Sequence, residues 1–443
     1  MTSSLKFNPI GTAFFLRFGY VAHEFPLLTS SDPIQSDGDI GAQLTLQQAL
    51  APLLRAGRDN QLDTPAAHLP GEIDRLLRQQ LEEVLSQTHL ATFLSGGIDS
   101  PLVAAIAQSM SQEKLNAFTF ASDDRQTDES AAAGEYARAL GLNHHLVKLD
   151  ETQLEEIVLH LSKTSDLPPG DYSVIPTYLV CRAAREYSDT ILSGDGGDEL
   201  FWGYAGRMSK VIKLAHLFGY PKWIRKIRYW TLRRPYEWNA RYFDTVGQWY
   251  RSLHEHNFES HLRMLFPGLP QLPQSYRQYE FSGTDKNTTA EWVRWNEFSG
   301  HMKAMLDKVN YASRTAGIHV FSPLLTEPLV KFAGQVDWQT CLDLERGIGK
   351  LPLRQLLRRY CAPQSAQKMG FEAPMRDWIS GPLRGLFEDG LLKRGSLGGL
   401  EMDSARMRAI FDQQLKGEID RSWGLWILLS LALWEDQHPK VVD

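Results

Sequence analysis

His89-Leu-Ala-Thr-Phe-Leu-Ser-Gly-Gly-Ile-Asp-Ser-Pro-Leu-Val-Ala-Ala-Ile-Ala-Gln108 changes character twice. The apolar run through Leu94 reads as a buried strand, Ser95 to Ser100 as a tight turn, and Leu102 to Gln108, with Val103, Ala104 and Ile106, as a helix. Gly96 and Gly97 let the backbone turn without Cβ clashes, so amide N–H groups can point inward beside a helix N-terminus. Such a turn favours phosphate or pyrophosphate. It carries no Gly-Lys-Ser/Thr and therefore no lysine of its own for a terminal phosphate. Asp99 stands there instead, an acid beside an anion site, which makes sense if it holds a Mg²⁺ ion bridging the phosphates.

A second loop, Asp189-Thr-Ile-Leu-Ser-Gly-Asp-Gly-Gly-Asp-Glu-Leu-Phe-Trp-Gly-Tyr204, follows a helix expected over Ile175 to Tyr187. Another short apolar strand runs into glycines and three close carboxylates, Asp195, Asp198 and Glu199, whose mutual repulsion a divalent cation relieves. Ser-Gly-Gly-x-Asp-Ser resembles the loop of the PP-loop ATP pyrophosphatases, which cleave ATP between its α and β phosphates. With Ser-Gly-Asp-Gly-Gly-Asp-Glu beside it, the chain resembles the asparagine synthetase superfamily, whose relatives include β-lactam synthetases and lasso-peptide cyclases. The likeness extends to Asp128-Glu129, Pro176-Thr-Tyr-Leu, Gly347-Ile-Gly-Lys350 with Leu353-Arg354, and Gln367-Lys368-Met-Gly-Phe371 with Pro374 and Trp378.

That resemblance implies roles residue by residue. Leu94, Ser95, Gly96, Gly97, Asp99, Ser100, Ser193 and Gly194 would bind ATP, with Ser95, Gly96, Gly97 and Ser100 cradling its pyrophosphate. Asp99 and Asp198 would bind Mg²⁺. Lys350 would contact phosphates, and Lys368 would stabilise charge on the α-phosphate and on a later tetrahedral intermediate, as a cation aimed at a developing anion does.

Three departures bear on the substrate. Met1 is followed by Thr2 rather than a catalytic cysteine, and about 70 residues precede the synthetase region, so the expectation is no glutaminase domain. Phe14 to Val21 then reads as a remnant of that domain's last strands. The nitrogen donor would be ammonia or an amine. In Leu306 to Thr326, where the family pattern is Lys-x-Asp-Arg and then Glu-x-Arg-x-Pro-Phe-Leu-Asp, the chain keeps Lys308 and Pro323. It has Asn310, Tyr311, His319, Phe321 and Thr326 at the charged positions, which argues against an aspartate pocket. His319 is one candidate general base and Asp195 another. Finally, Arg207 to Arg241 holds ten Lys or Arg against one acid, Glu237, with Trp223, Tyr229, Trp230, Tyr236 and Trp238. It is either a solvated helical face or a docking surface for an acidic carrier protein or precursor peptide.

Working outward, alternating periodicity continues: Leu115 to Phe120 as strand, Glu129 to Leu140 as helix, His144 to Leu149 as strand, Leu154 to Leu161 as helix. Residues 71 to 87 place Ile73, Leu76, Leu77, Leu81, Val84 and Leu85 on one helical face. The fold class is α/β, a parallel sheet of PP-loop (adenine nucleotide α-hydrolase-like) type with a helical C-terminal half; 1–70 is a short N-terminal segment and 71–443 the synthetase-like domain. A net charge of −6 argues against general nucleic-acid binding. Cys181, Cys341 and Cys361 suggest neither disulfides nor zinc. Trp423 to Trp434 is too short for a membrane span and reads as a buried C-terminal helix. No secretory signal is visible, so cytoplasm is the expected compartment.

The expected activity is an ATP-dependent, AMP-forming carbon–nitrogen ligase that activates a carboxylate and transfers it to ammonia or an amine, in specialised-metabolite or peptide biosynthesis. Intramolecular lactam or macrolactam closure uses the same loops. A nucleotide-binding pseudoenzyme is the reading from another class.

Overall fold

The computed structural model describes residues 5–30, 46–56, 66–86, 89–122, 128–232, 242–273, 280–361, 373–438 and 441–442. Numbered along the chain, β1 (Leu5–Phe7), α1 (Pro9–Phe18), β2 (Leu28–Ser30), α2 (Leu46–Ala56) and α3 (Leu69–Leu85) precede the glycine loop. β3 (Leu90–Phe93) runs through that loop into α4 (Asp99–Met110). Then come β4 (Asn116–Phe120), α5 (Ser130–Leu140), β5 (Asn143–Val147), α6 (Leu154–Thr164), α7 (Val174–Arg185) and β6 (Thr190–Leu192). β7 (His319–Phe321) completes a five-stranded sheet of order β5-β4-β3-β6-β7 in which every neighbouring pair is parallel.

The expected elements appear with shifts of a few residues at their ends. All four residues of β3 are buried, and α4 buries every residue from Pro101 to Ala107, as a helix enclosed by the sheet and its neighbours must. On α3, Ile73, Leu76, Leu77 and Leu81 are buried, while Val84 and Leu85 are only partly so.

From β3 the chain winds outward to β4 and β5, then returns to the other side of β3 as β6. Strand order therefore reverses between β3 and β6, and ligands of open parallel sheets bind in the crevice at such a point, beyond the strands' carboxyl ends. The two loops that leave there are the two glycine loops of the sequence.

Beyond β6 the chain is mostly helical, beginning with α8 (Gly197–Leu200), α9 (Ala205–Leu214) and α10 (Lys222–Leu232). The C-terminal helix Ser422–Gln437 buries all residues from Gly424 to Trp434. Its polar edges are satisfied inside: Trp426 Nε1 and Ser430 Oγ both donate to the Pro169 carbonyl, and Trp434 Nε1 to that of Ser165. No described helix is long and apolar enough to cross a membrane. Cys181, Cys341 and Cys361 are buried free thiols.

One expectation fails outright. Phe14 to Phe18 belong to helix α1 rather than to remnant strands, because local stop and start signals outweigh the β preference of phenylalanine. Asn8 Oδ1 accepts from Ile10 N at 3.1 Å, Pro9 opens the helix, and Gly19 at φ +73° ends it. Residues Gly11 to Phe18 are all buried, in the same core as the C-terminal helix.

Candidate active site

The two glycine loops interlock in the crevice. In the first, Ser95 N donates to Ser100 Oγ at 3.0 Å and Gly97 N to Ser95 Oγ at 3.2 Å, so the turn is closed by its own serines. Gly96 N donates to Glu129 Oε2 at 3.2 Å, a carboxylate meeting an amide at the head of α4, where phosphate is expected. In the second loop, Ser193 Oγ donates to Asp195 Oδ2 at 2.7 Å, and Gly196 turns the chain at φ +100°. A Cβ on Gly194 would lie 2.6 Å from Ser100 N, and one on Gly197 2.3 Å from Asp99 Oδ1. Only glycine permits so close an approach.

A third segment completes the cluster. Among the described residues, Trp202 and Lys350 alone adopt positive φ without being glycine, at +51° and +58°. Such a conformation costs about 1–2 kcal/mol and persists where the surroundings dictate it. Here they do: Lys350 N donates to Phe201 O at 2.9 Å, and a Cβ on Gly349 would lie 1.9 Å from Trp202 O. The strained turn drives the Lys350 ammonium, 4% exposed, between Asp198 at 2.7 Å and Asp99.

Asp99 and Asp198 thus converge on one point, two hard oxygen donors reaching it from different loops. That donor set fits Mg²⁺, which takes one or two carboxylates and fills its other positions with water and substrate phosphate. No cluster of three or more His, Cys, Asp or Glu side chains suited to a metal occurs among the described residues, so an all-protein cage is not what the site offers.

A cavity of about 450 Å³ opens over these loops. Both glycine loops, Asp195, Asp198 and Lys350 line it, as expected from the sequence. Leu94 does not: it is fully buried, with its N–H on Phe118 O and its carbonyl accepting from Thr119 Oγ, so its visible work is packing. Lys368 lies outside the described residues. His319 is exposed and starts β7 level with Thr190, the first residue of β6, at the end of the sheet away from the loops. The structure does not bring it to the cavity. Asn310, Tyr311, Phe321 and Thr326 do not line it either.

Other lining residues were missed or left without a role. Arg354, one turn beyond Lys350, donates from Nε to Gly349 O at 2.9 Å, and Tyr204 donates to Glu199 Oε1 at 2.7 Å. Spacing within the quoted motifs was a usable signal for both. Asp171, His256, His301 and Trp423 had none.

Behind Tyr204 and His301 lies a buried ionic network. Glu297, with no exposed surface, accepts from Arg207 at 2.7 Å and from Tyr250, and its Oε1 is 3.1 Å from His254 Nε2. Burial alone would raise the Glu297 carboxyl, but Arg207 and the hydrogen bond from His254 hold it well below the usual carboxylate range. Burial pushes the His301 imidazole far down and the Tyr204 and Tyr250 hydroxyls far up, so these groups stay neutral at pH 7.

The basic stretch divides. Arg207 points inward, its guanidinium 4.0 Å from the Tyr204 ring, and Arg225 is buried on the Tyr220 and Phe243 carbonyls. Helix α10 instead exposes Trp223, Ile227 and Trp230. Residues 233–241 lie outside the described ones.

The chain is similar in sequence to several known proteins. A putative glutamine-hydrolysing asparagine synthetase of Mycobacterium bovis is 26% identical over 366 residues, 78% of this chain and 54% of that protein. A second such putative synthetase, from Methanocaldococcus jannaschii, is 35% identical over 144 residues, 32% of this chain and 26% of its own length. The amidase chyE of Penicillium rubens is 31% identical over 149 residues, 29% of this chain and 22% of its own. The chain spans about half the length, or less, of these curated relatives. The asparagine synthase family profile matches residues 72–436, both glycine loops and the Lys350 turn included, and the chain belongs to that family.

Proposed function

We propose that the protein is an ATP-dependent carbon–nitrogen ligase. A substrate carboxylate attacks the α-phosphorus of ATP, pyrophosphate leaves, and ammonia or an amine displaces AMP from the acyl-adenylate to give an amide. Activation is needed because a carboxylate oxygen is a poor leaving group. The observation that carries this reading is the convergence of Asp99, Asp198 and Lys350 at two interlocked glycine turns at the sheet's switch point.

Ser95, Gly96, Gly97 and Ser100 would hold the pyrophosphate, with Ser193 and Gly194 closing over it. Asp99 and Asp198 would hold Mg²⁺, which supplies positive charge to the departing pyrophosphate. Lys350 offers the same charge from the protein. Lys368 is proposed, from the resemblance alone, to act on the α-phosphate side. Asp195, on the cavity wall, is the better placed of the two candidate bases; His319 does not line the cavity. The reading favours specialised or peptide biosynthesis over asparagine supply, whether the amine is separate or part of the same molecule. An acidic carrier or precursor peptide is proposed for the exposed face of α10, where Lys226 accompanies Trp223, Ile227 and Trp230.

The test is ATP–pyrophosphate exchange with Mg²⁺ across amino acids, other carboxylates and peptides. Exchange that depends on one acid supports the ligase. Nucleotide binding without exchange for any acid counts against it.

A further inference from the structure

Besides the glycine turns, the cavity is bounded by residues distant from them in sequence. Arg17, near the end of α1 and 3% exposed, pairs with Glu255 at 2.7 Å and Glu259 at 3.0 Å. Its carbonyl accepts from His256 N at 2.8 Å. Asn257 Nδ2 donates to Leu16 O at 2.9 Å and Gly424 O at 3.2 Å, tying residues 255–257 between α1 and the start of the C-terminal helix. Held this way, the His256 ring stacks on Trp423 with centroids 4.4 Å apart and planes within 9°. The Trp423 ring lies 4.2 Å from Tyr172. His256, Trp423, Phe18, Met302 and Met305 all face the cavity.

Three properties of this wall matter. The His256 and Trp423 rings are already stacked, so an incoming ring meets a preformed aromatic surface. Methionine side chains adapt to the outline of an apolar ligand. It also carries no net charge: burial pushes His256 down to about 4, and Lys308 stands 3.8 Å from Asp171, cancelling it. Asp171 is further engaged by Ser173, whose N and Oγ both donate to Oδ1 at 2.8 and 2.6 Å. A small dianionic acid finds little here to bind; a flat apolar group finds a surface.

We propose that this wall of the cavity is a subsite for a planar apolar group on the carboxylate substrate, with Trp423 and His256 as its specificity-determining residues and α1 as the element that positions them. The inference rests on the ligase reading above. Phe18, which lines the cavity, and Arg17 behind it precede residues 72–436, so part of this wall comes from outside the matched family region.

The experiment uses the full chain with a non-hydrolysable ATP analogue and Mg²⁺, and compares 3-phenylpropionate with propionate, and phenylacetate with acetate, by calorimetry. The phenyl acids bind at least tenfold more tightly than their alkyl partners. Trp423→Ala removes that preference while the nucleotide affinity stays unchanged; should this variant not fold, His256→Ala serves in its place. Arg17→Met weakens the preference and Arg17→Lys restores part of it. Equal affinities for phenyl and alkyl acids, or a preference that survives both ring deletions, overturn the proposal. Exchange measured on the same acids separates the two claims: phenyl preference in binding with no exchange keeps the subsite and removes the ligase reading.

Discussion

Two parts of one cavity wall are built on opposite plans. The glycine-loop wall consists of short contiguous turns, Ser95–Ser100 and Ser193–Glu199, whose glycines let each nest against the other. The aromatic wall is assembled from α1, residues 255–257, the helix Met302–Ala316 and Trp423, joined by ion pairs and carbonyl contacts across more than two hundred residues of chain. The first plan fixes one local backbone shape, which is what an anion cradle requires. The second leaves shape and charge free to vary without disturbing the turns.

The sharpest break of the glycine-loop wall is Asp198→Ala. Lys350 keeps Asp99 as its partner, so the fold persists, but exchange falls by about a thousand-fold or more. Unchanged exchange in a folded variant removes Asp198 from the chemistry. Next in size is Glu297→Ala, which takes the shared acceptor from the part-buried Arg207 guanidinium beneath Tyr204 and from the buried Tyr250 and His254. Denaturant unfolding should show a loss of about 3–5 kcal/mol, and a loss under 1 kcal/mol would show that the network is not holding the wall.

The aromatic wall has its own signature in pH. His256 is held near 4 by burial, against about 6.5 in the unfolded chain, so the unfolded state takes up the proton first. The contribution is fully present above pH 6.5 and is lost as pH falls towards 4, up to about 3 kcal/mol. In His256→Asn the stability profile between pH 6.5 and 4 flattens relative to the parent; identical profiles would place the imidazole in solvent. The smallest effect belongs to His319→Ala. At the amino end of β7 and exposed, this residue should change adenylation, amide formation and stability by no more than about 0.5 kcal/mol. A selective loss of amide formation would restore it as the base.

The same contrast explains what could be read before the structure. Strand, turn and helix around Ser95 follow from local chain chemistry, and so do Asp99, Asp198 and Lys350 as a group. The positive φ of Lys350 does not, since it is imposed by Phe201 and Trp202 across the crevice. His319 fitted a spacing pattern, but strand direction decides which end of a parallel sheet meets a ligand, and His319 is at the other one. Leu94 fitted the loop by adjacency and is core. Phe14 to Phe18 were misread because their apolar density resembles a strand, whereas Asn8, Pro9 and Gly19 make it a helix. The aromatic wall left no trace in any motif: stacking of His256 on Trp423 depends on where α1 and the C-terminal helix meet.

The most direct test of the central claim is to follow the phosphorus products of ATP by ³¹P NMR, with Mg²⁺, a carboxylic acid that supports exchange, and an amine. The account predicts AMP and pyrophosphate in equal amounts, matched by the amide formed. ADP and inorganic phosphate, or amide formed without AMP, would contradict it.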